Sequence, residues 1–124
     1  MDMKAHMLRQ MAFSRGTFGP GERRQGIIEH IRKELVEIEE SDGSHEEWVD
    51  VVILALDGLW RSIDKLSEYI DPEDGLDGLP MSEIIAELTV IAILEKQGIN
   101  ELRVWPDWRT IPQDRPIEHV RDGE

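Results

Sequence analysis

With 124 residues, of which 40% are apolar and 33% charged, the chain has the composition of one folded domain and not of a disordered tail. Its 27 acidic against 14 basic side chains give a formal charge of -13, which repels DNA, RNA and anionic lipid at long range and argues against a nucleic-acid partner. The lack of cysteine excludes disulfides and thiol chemistry, and no stretch has the apolar length of a membrane span or signal peptide, so a cytoplasmic protein with no membrane partner is expected.

Met3, Met7, Leu8 and Met11 recur at helical spacing and predict a short first helix over residues 1–13. Ser14-Arg-Gly-Thr-Phe-Gly-Pro-Gly21 follows, and three glycines with a proline predict a loop that ends it. The next helix is expected from about 22 to 40. At about 100° per residue, Ile27, Ile28, Ile31, Leu35 and Ile38 form its apolar stripe, and His30, Glu34 and Glu37 run along one edge of that stripe. After the acidic turn 41–44, Ser44 and Glu47 read as a capping box for a third helix reaching about residue 70. Val49, Val52, Ile53, Leu56, Leu59, Trp60 and Ile63 form its stripe, with Glu47, Asp50, Asp57 and Arg61 beside it.

The stretch 71–80, with four acids, two glycines and two prolines, predicts a second loop; it lacks the glycine placement and closing glutamate of a calcium loop and reads as a solvated connection. Ser82 is a candidate cap for a fourth helix striped by Met81, Ile84, Ile85, Leu88, Ile91 and Ala92. Val90 and Ile93 give that helix a second apolar face, as expected of a central helix or one facing a partner subunit, and Gly98 is expected to end it. From Ile99 onward Trp105-Pro-Asp-Trp-Arg109, Pro112 and Pro116 predict an extended tail, closing with a helical turn over 116–121. The expected fold is thus all-α, a single domain over 1–124 with a tail from about 99.

Two carboxylate pairs stand out: Glu34-Leu-Val-Glu37 and Glu47-Trp-Val-Asp50. A spacing of three puts both acids of a pair on one helical face, so two facing pairs make a cage for a divalent cation. Such spacings also arise on solvated faces, as at Glu37 with Glu40 and Glu68 with Asp71. What separates the first two pairs is their position beside core stripes, where unpaired carboxylates are costly. Hard oxygen ligands without Cys or paired His favour Mg²⁺ or Mn²⁺ over Zn²⁺. On so acidic a chain, any phosphate chemistry requires a metal ion to invert the local charge.

The pattern Glu34-x-x-Glu37 followed by Glu47-x-x-Asp50 resembles the metal signature of the all-α nucleoside triphosphate pyrophosphohydrolases, the MazG-like superfamily. Ala12-Phe-Ser-Arg-Gly-Thr-Phe-Gly-Pro-Gly21, His30-Ile-Arg-Lys-Glu-Leu35, the run from Glu47 to Gly58 and Trp105-Pro-Asp-Trp-Arg109 resemble one branch more closely. That branch, common in phages, is described as dATP/dGTP diphosphohydrolases. The link between the two pairs, 38–46, is shorter than is usual in the superfamily. The resemblance implies a four-helix bundle, a homodimer or homotetramer, that converts a nucleoside triphosphate, dATP or dGTP, to monophosphate and pyrophosphate with Mg²⁺. It implies that Glu34, Glu37, Glu47 and Asp50 hold the metal and that Glu37 and Glu47 are the catalytic pair, Glu37 orienting the attacking water. Asp57 would be a further ligand or support one. If the gene is phage-borne, the enzyme works in the host cytoplasm.

Candidate substrate contacts are cations near the acids, Lys33, Arg61 and Lys96, each of which reads equally as a surface ion pair. His30 is a nucleotide contact or a hydrogen-bonded histidine in the helical seam. Phe13 and Phe18 flank the glycine-rich loop that carries Ser14 and Thr17, so that an aromatic ring can stack on a base and the hydroxyls bond a sugar; the loop lacks the Lys-Ser/Thr ending of a P-loop. Trp48, Trp60, Trp105 and Trp108 read as core or interface anchors. The alternative function is a non-enzymatic acidic helical adaptor or regulatory dimer, whose carboxylates would point separately into solvent.

Overall fold

Apolar residues at helical spacing, interrupted by glycine and proline, yield four α-helices in the computed structural model, which describes residues 2–69 and 80–121. They are α1 (Met3–Phe18), α2 (Arg24–Glu40), α3 (His45–Leu66) and α4 (Met81–Leu102), with 3₁₀ turns at Ser67–Tyr69 and Trp108–Thr110. Met1–Val90 form one compact unit and Ile91–Glu124 a second. The predicted connection over 71–80 lies, except for Pro80, outside the described residues, as does the predicted end of α3 at residue 70. Among the described residues there is no strand and no helix long and apolar enough to cross a membrane.

The core of the first unit joins Met7 and Met11 of α1, Leu56 and Trp60 of α3, and Ile85 and Ala86 of α4. Leu8, Ile63, Met81 and Val90 pack around it. A large aromatic such as Trp60, 1% exposed, supplies much of the apolar burial available to so small a core. α2 packs along α3, burying Ile27 and Ile38. The N-terminal half of α3 does not follow its predicted stripe: Val49, Val52 and Ile53 remain exposed, with Leu35 and Val36 of α2 and Trp48. In the second unit Trp105 and Trp108 are exposed as well.

α1 runs five residues beyond its predicted end and takes in Ser14, Gly16 and Thr17. A glycine inside a helix costs only about 1 kcal/mol against alanine. Ser14 is buried and bonded, and Arg15 pairs with Asp64 at 3.3 Å while lying over Trp60, so tertiary contacts outweigh that cost. The break comes at Gly19 and Gly21, both with positive φ. Gly98 likewise lies inside α4 instead of ending it, and residues 116–121 are not helical. The tail there returns on itself through the Val120 amide, which donates to the Val104 carbonyl at 2.8 Å. Ser44 precedes α3 as expected but makes no side-chain cap bond.

The turn between α2 and α3 fixes the geometry that matters most. The Gly43 amide donates to the Ile38 carbonyl at 2.8 Å and the Asp42 amide to the Glu39 carbonyl at 3.3 Å, a Schellman arrangement with Asp42 in the left-handed position at φ 57°. Asp tolerates that conformation better than most residues. Gly43, at φ 81°, then reverses the chain so that α3 returns beside α2.

Candidate functional site

Because α2 and α3 are joined by so short a turn, acids near the end of one helix face acids at the start of the next. Glu34, Glu37 and Glu47 each place a carboxylate oxygen within 4.8 Å of the other two. Glu34 is buried, and Glu37 and Glu47 are half-buried. Asp50 is exposed and is not one of this trio, yet its charge reaches both Glu34 and Glu47. Of the four carboxylates expected to meet, three converge and the fourth borders them.

The trio is under electrostatic stress. A proton shared with Glu37 is the largest cause raising the pKa of Glu34 above the usual glutamate value, followed by burial and by the charges of Glu37 and Asp50; His30 pulls the other way. Burial comes first for Glu47, whose pKa is also raised, followed by the charge and hydrogen bond of Glu37. Fully ionised, the buried Oε2 of Glu34 has no hydrogen-bond partner, although such atoms are almost always satisfied. A divalent cation would satisfy that oxygen and cancel the repulsion that raises both pKa values. Oxygen-only ligands of this kind fit a hard ion, so the residues present suit the group. His30, exposed on α2, places its Nε2 3.3 Å from Glu34 Oε1.

A small cavity of about 140 Å³ adjoins the trio through His30 and is lined also by Phe18, Arg23, Ile27, Leu54 and Asp57. Phe18 is 45% and Phe13 64% exposed, and their rings meet edge to face at 6.3 Å. Thr17 and Lys33 are exposed, and Lys33 has no ion-pair partner among the described residues. Lys96 is exposed within the second unit.

Asp57 and Arg61 form a buried node outside the trio. Asp57 Oδ1 accepts from Trp60 Nε1 at 2.6 Å, and Oδ2 accepts from Ser14 Oγ at 2.8 Å and Arg61 Nε at 3.1 Å. Arg61 Nη2 donates to Ser14 Oγ at 2.8 Å, and Nη1 donates to the carbonyls of Gly19 at 2.9 Å and Gly21 at 2.7 Å. Arg61, expected to face a phosphate or a surface acid, is instead 1% exposed with its donors engaged, and Ser14 is a member of the same node. The helical spacing of Asp57, Trp60 and Arg61 carried that signal, since residues three and four apart share a face. Arg23 was not singled out in the sequence; its signal is a second arginine before a helix that has no Ser, Thr, Asp or Asn cap.

Neither a curated protein nor a solved structure matches the chain. The model of the dATP/dGTP pyrophosphohydrolase family matches residues 7–71, the span that holds the acid trio, the buried node and the cavity between them. With more than half its length inside that match, the chain belongs to the dATP/dGTP pyrophosphohydrolase family and is a hydrolase that cleaves nucleoside triphosphates at an acid anhydride.

Proposed function

We propose that the protein hydrolyses dATP and dGTP to the monophosphate and pyrophosphate in a Mg²⁺-dependent reaction centred on Glu34, Glu37 and Glu47. The observation that carries this reading is the buried, unpartnered Oε2 of Glu34 within a trio of converging carboxylates, in which the pKa values of Glu34 and Glu47 are raised. A Mg²⁺ ion held there, or Mn²⁺ in its place, would supply Lewis-acid charge to the phosphate oxygens and a more acidic water. Glu34 and Glu47 serve as ligands, and Asp50 adds negative charge at the rim that strengthens cation binding. Glu37, the acid whose charge and hydrogen bonding act on both others, orients the attacking water and accepts its proton. The water oxygen bonds to the α-phosphorus, the bond from that phosphorus to the bridging oxygen breaks, and pyrophosphate leaves with the electron pair. Lys33, one turn before Glu37 on α2, supplies positive charge to the outer phosphates.

The exposed apolar side chains Leu35, Val49, Val52 and Ile53 support a homodimer or homotetramer in which a second copy covers them. The same reading has the enzyme act in the cytoplasm, where a nucleoside triphosphate substrate would be met. The test is a screen of the eight common nucleoside triphosphates with Mg²⁺. Pyrophosphate release should be greatest with dATP and dGTP and lost in a folded Glu47→Gln variant. Release of orthophosphate alone, or unchanged turnover in that variant, rejects the assignment.

A further inference from the structure

The cavity beside the trio is too small for a whole nucleotide. At about 140 Å³ it falls well below the roughly 300 Å³ at which pockets for complete small ligands begin. Its walls include an aromatic ring from Phe18, the guanidinium of Arg23, the imidazole of His30, the aliphatic side chains of Ile27 and Leu54, and the carboxylate of Asp57, whose two oxygens are already engaged in the buried node. That lining suits one flat heteroaromatic ring system, apolar on its faces and able to accept hydrogen bonds at its edge.

Its position restricts the occupant further. His30 is at once a wall of the cavity and a neighbour of Glu34, at 3.3 Å. In cleavage between the α and β phosphates the reacting phosphorus is the one attached to the nucleoside, so the nucleoside must lie directly beside the acids. A pocket with a wall, His30, that lies against Glu34 is where it can lie.

Backbone strain supplies an independent indication. Arg23 precedes α2 at φ 48°, in the left-handed region, and offers that helix no side-chain cap bond. Such a conformation costs a residue with a β-carbon, and strain of this kind gathers at binding sites. What the conformation does achieve is to carry the guanidinium to 5.8 Å above the Phe18 ring, at the cavity wall. The bonds from Arg61 to the carbonyls of Gly19 and Gly21 tie the turn between these two residues to α3, so the wall is built before any ligand arrives.

We propose that this cavity seats the nucleobase of the substrate, with Phe18 and Arg23 as its stacking wall; the proposal rests on the acid trio being the triphosphate site. Phe18→Ala and Arg23→Gly test it in the full-length protein. Both positions are exposed, and glycine relieves the strain at 23, so melting temperatures should hold. KM for dATP and dGTP should rise about tenfold or more, as expected on losing one aromatic partner of a base, while kcat stays within about twofold. Unchanged KM in both variants, or a fall in kcat at constant KM, overturns the base seat while leaving the trio intact as the hydrolytic site. A wild-type protein that releases no pyrophosphate from any triphosphate overturns the underlying assignment instead.

Discussion

Arg61 on α3 donates to the carbonyl oxygen of Gly21 at 2.7 Å, so a single buried guanidinium holds a turn that lies 40 residues earlier in the chain. The same side chain neutralises Asp57, and both are almost wholly buried. Arg61→Met therefore leaves a buried carboxylate without its cation and two carbonyls without their donor. The expected loss is about 3–5 kcal/mol of folding stability, read as a fall in the urea midpoint. Arg61→Lys should recover less than half of it, because an ammonium cannot reproduce the planar fork. A midpoint shift equivalent to less than about 1 kcal/mol for Arg61→Met would show that the node contributes little.

The metal-free protein should lose stability as pH rises from acid toward neutral through the acid trio. Glu34 and Glu47 have folded pKa values raised above the ordinary 4.5. Between that value and the raised ones the folded state binds more protons than the unfolded state, so stability falls with pH across the window and the penalty is complete above it. Glu22 and Asp107, whose pKa values are lowered by Lys65 and Arg109, act in the opposite sense but only below their ordinary values of 4.5 and 3.8. Melting temperatures measured in EDTA from pH 5 to 8 should decline; a flat or rising profile would contradict the repulsion among these carboxylates.

Millimolar Mg²⁺ or Mn²⁺ should raise the melting temperature at pH 7 and flatten that pH profile. An ion bound only by the folded state stabilises by mass action, about 2.7 kcal/mol at a hundred times its dissociation constant. Glu34→Gln separates the two effects: it removes a buried charge, so the metal-free melting temperature should rise, while the Mg²⁺ increment should shrink or vanish. An undiminished increment in that variant would place the ion elsewhere.

Two glycines lie inside helices where nothing occupies the space a methyl group would need. A β-carbon at Gly16 or Gly98 meets no atom within 4 Å, and neither residue has a positive φ. Gly16→Ala and Gly98→Ala should each stabilise by about 0.5–1 kcal/mol, chiefly by restricting the unfolded chain. Calorimetry decides this, and a lowered melting temperature in either variant would reveal a constraint on the backbone at that site.

These two glycines also mark where reading the sequence stopped short. Glycine and proline content predicted a break at residue 14, whereas the contacts of Ser14 and Arg15 with α3 extend α1 to Phe18. Local propensity does not register partners 40 or more residues away. The acid trio was legible because it depends on local quantities: helical spacing within α2 and α3 and a turn too short to separate them. Asp50 was harder to place, since its spacing from Glu47 is favourable but the burial that separates it from the trio is tertiary. Arg61 was placed by helical spacing beside the apolar stripe of α3; that its donors turn inward depends on where the Gly19–Gly21 turn settles. The exposed valines of α3 show a related effect, because periodicity identifies an apolar face without saying which surface covers it.

The left-handed pair at Asp42 and Gly43 also bears on how the protein assembles. Every acid of the trio lies between Glu34 and Glu47, within one helical hairpin, so the chain closes only a very short loop to bring the carboxylates together. Loops of that length close rapidly and at small entropic cost, and contacts of low sequence separation form early. The acids should therefore meet before the core around Trp60 condenses, and cation binding should accelerate folding as well as slow unfolding.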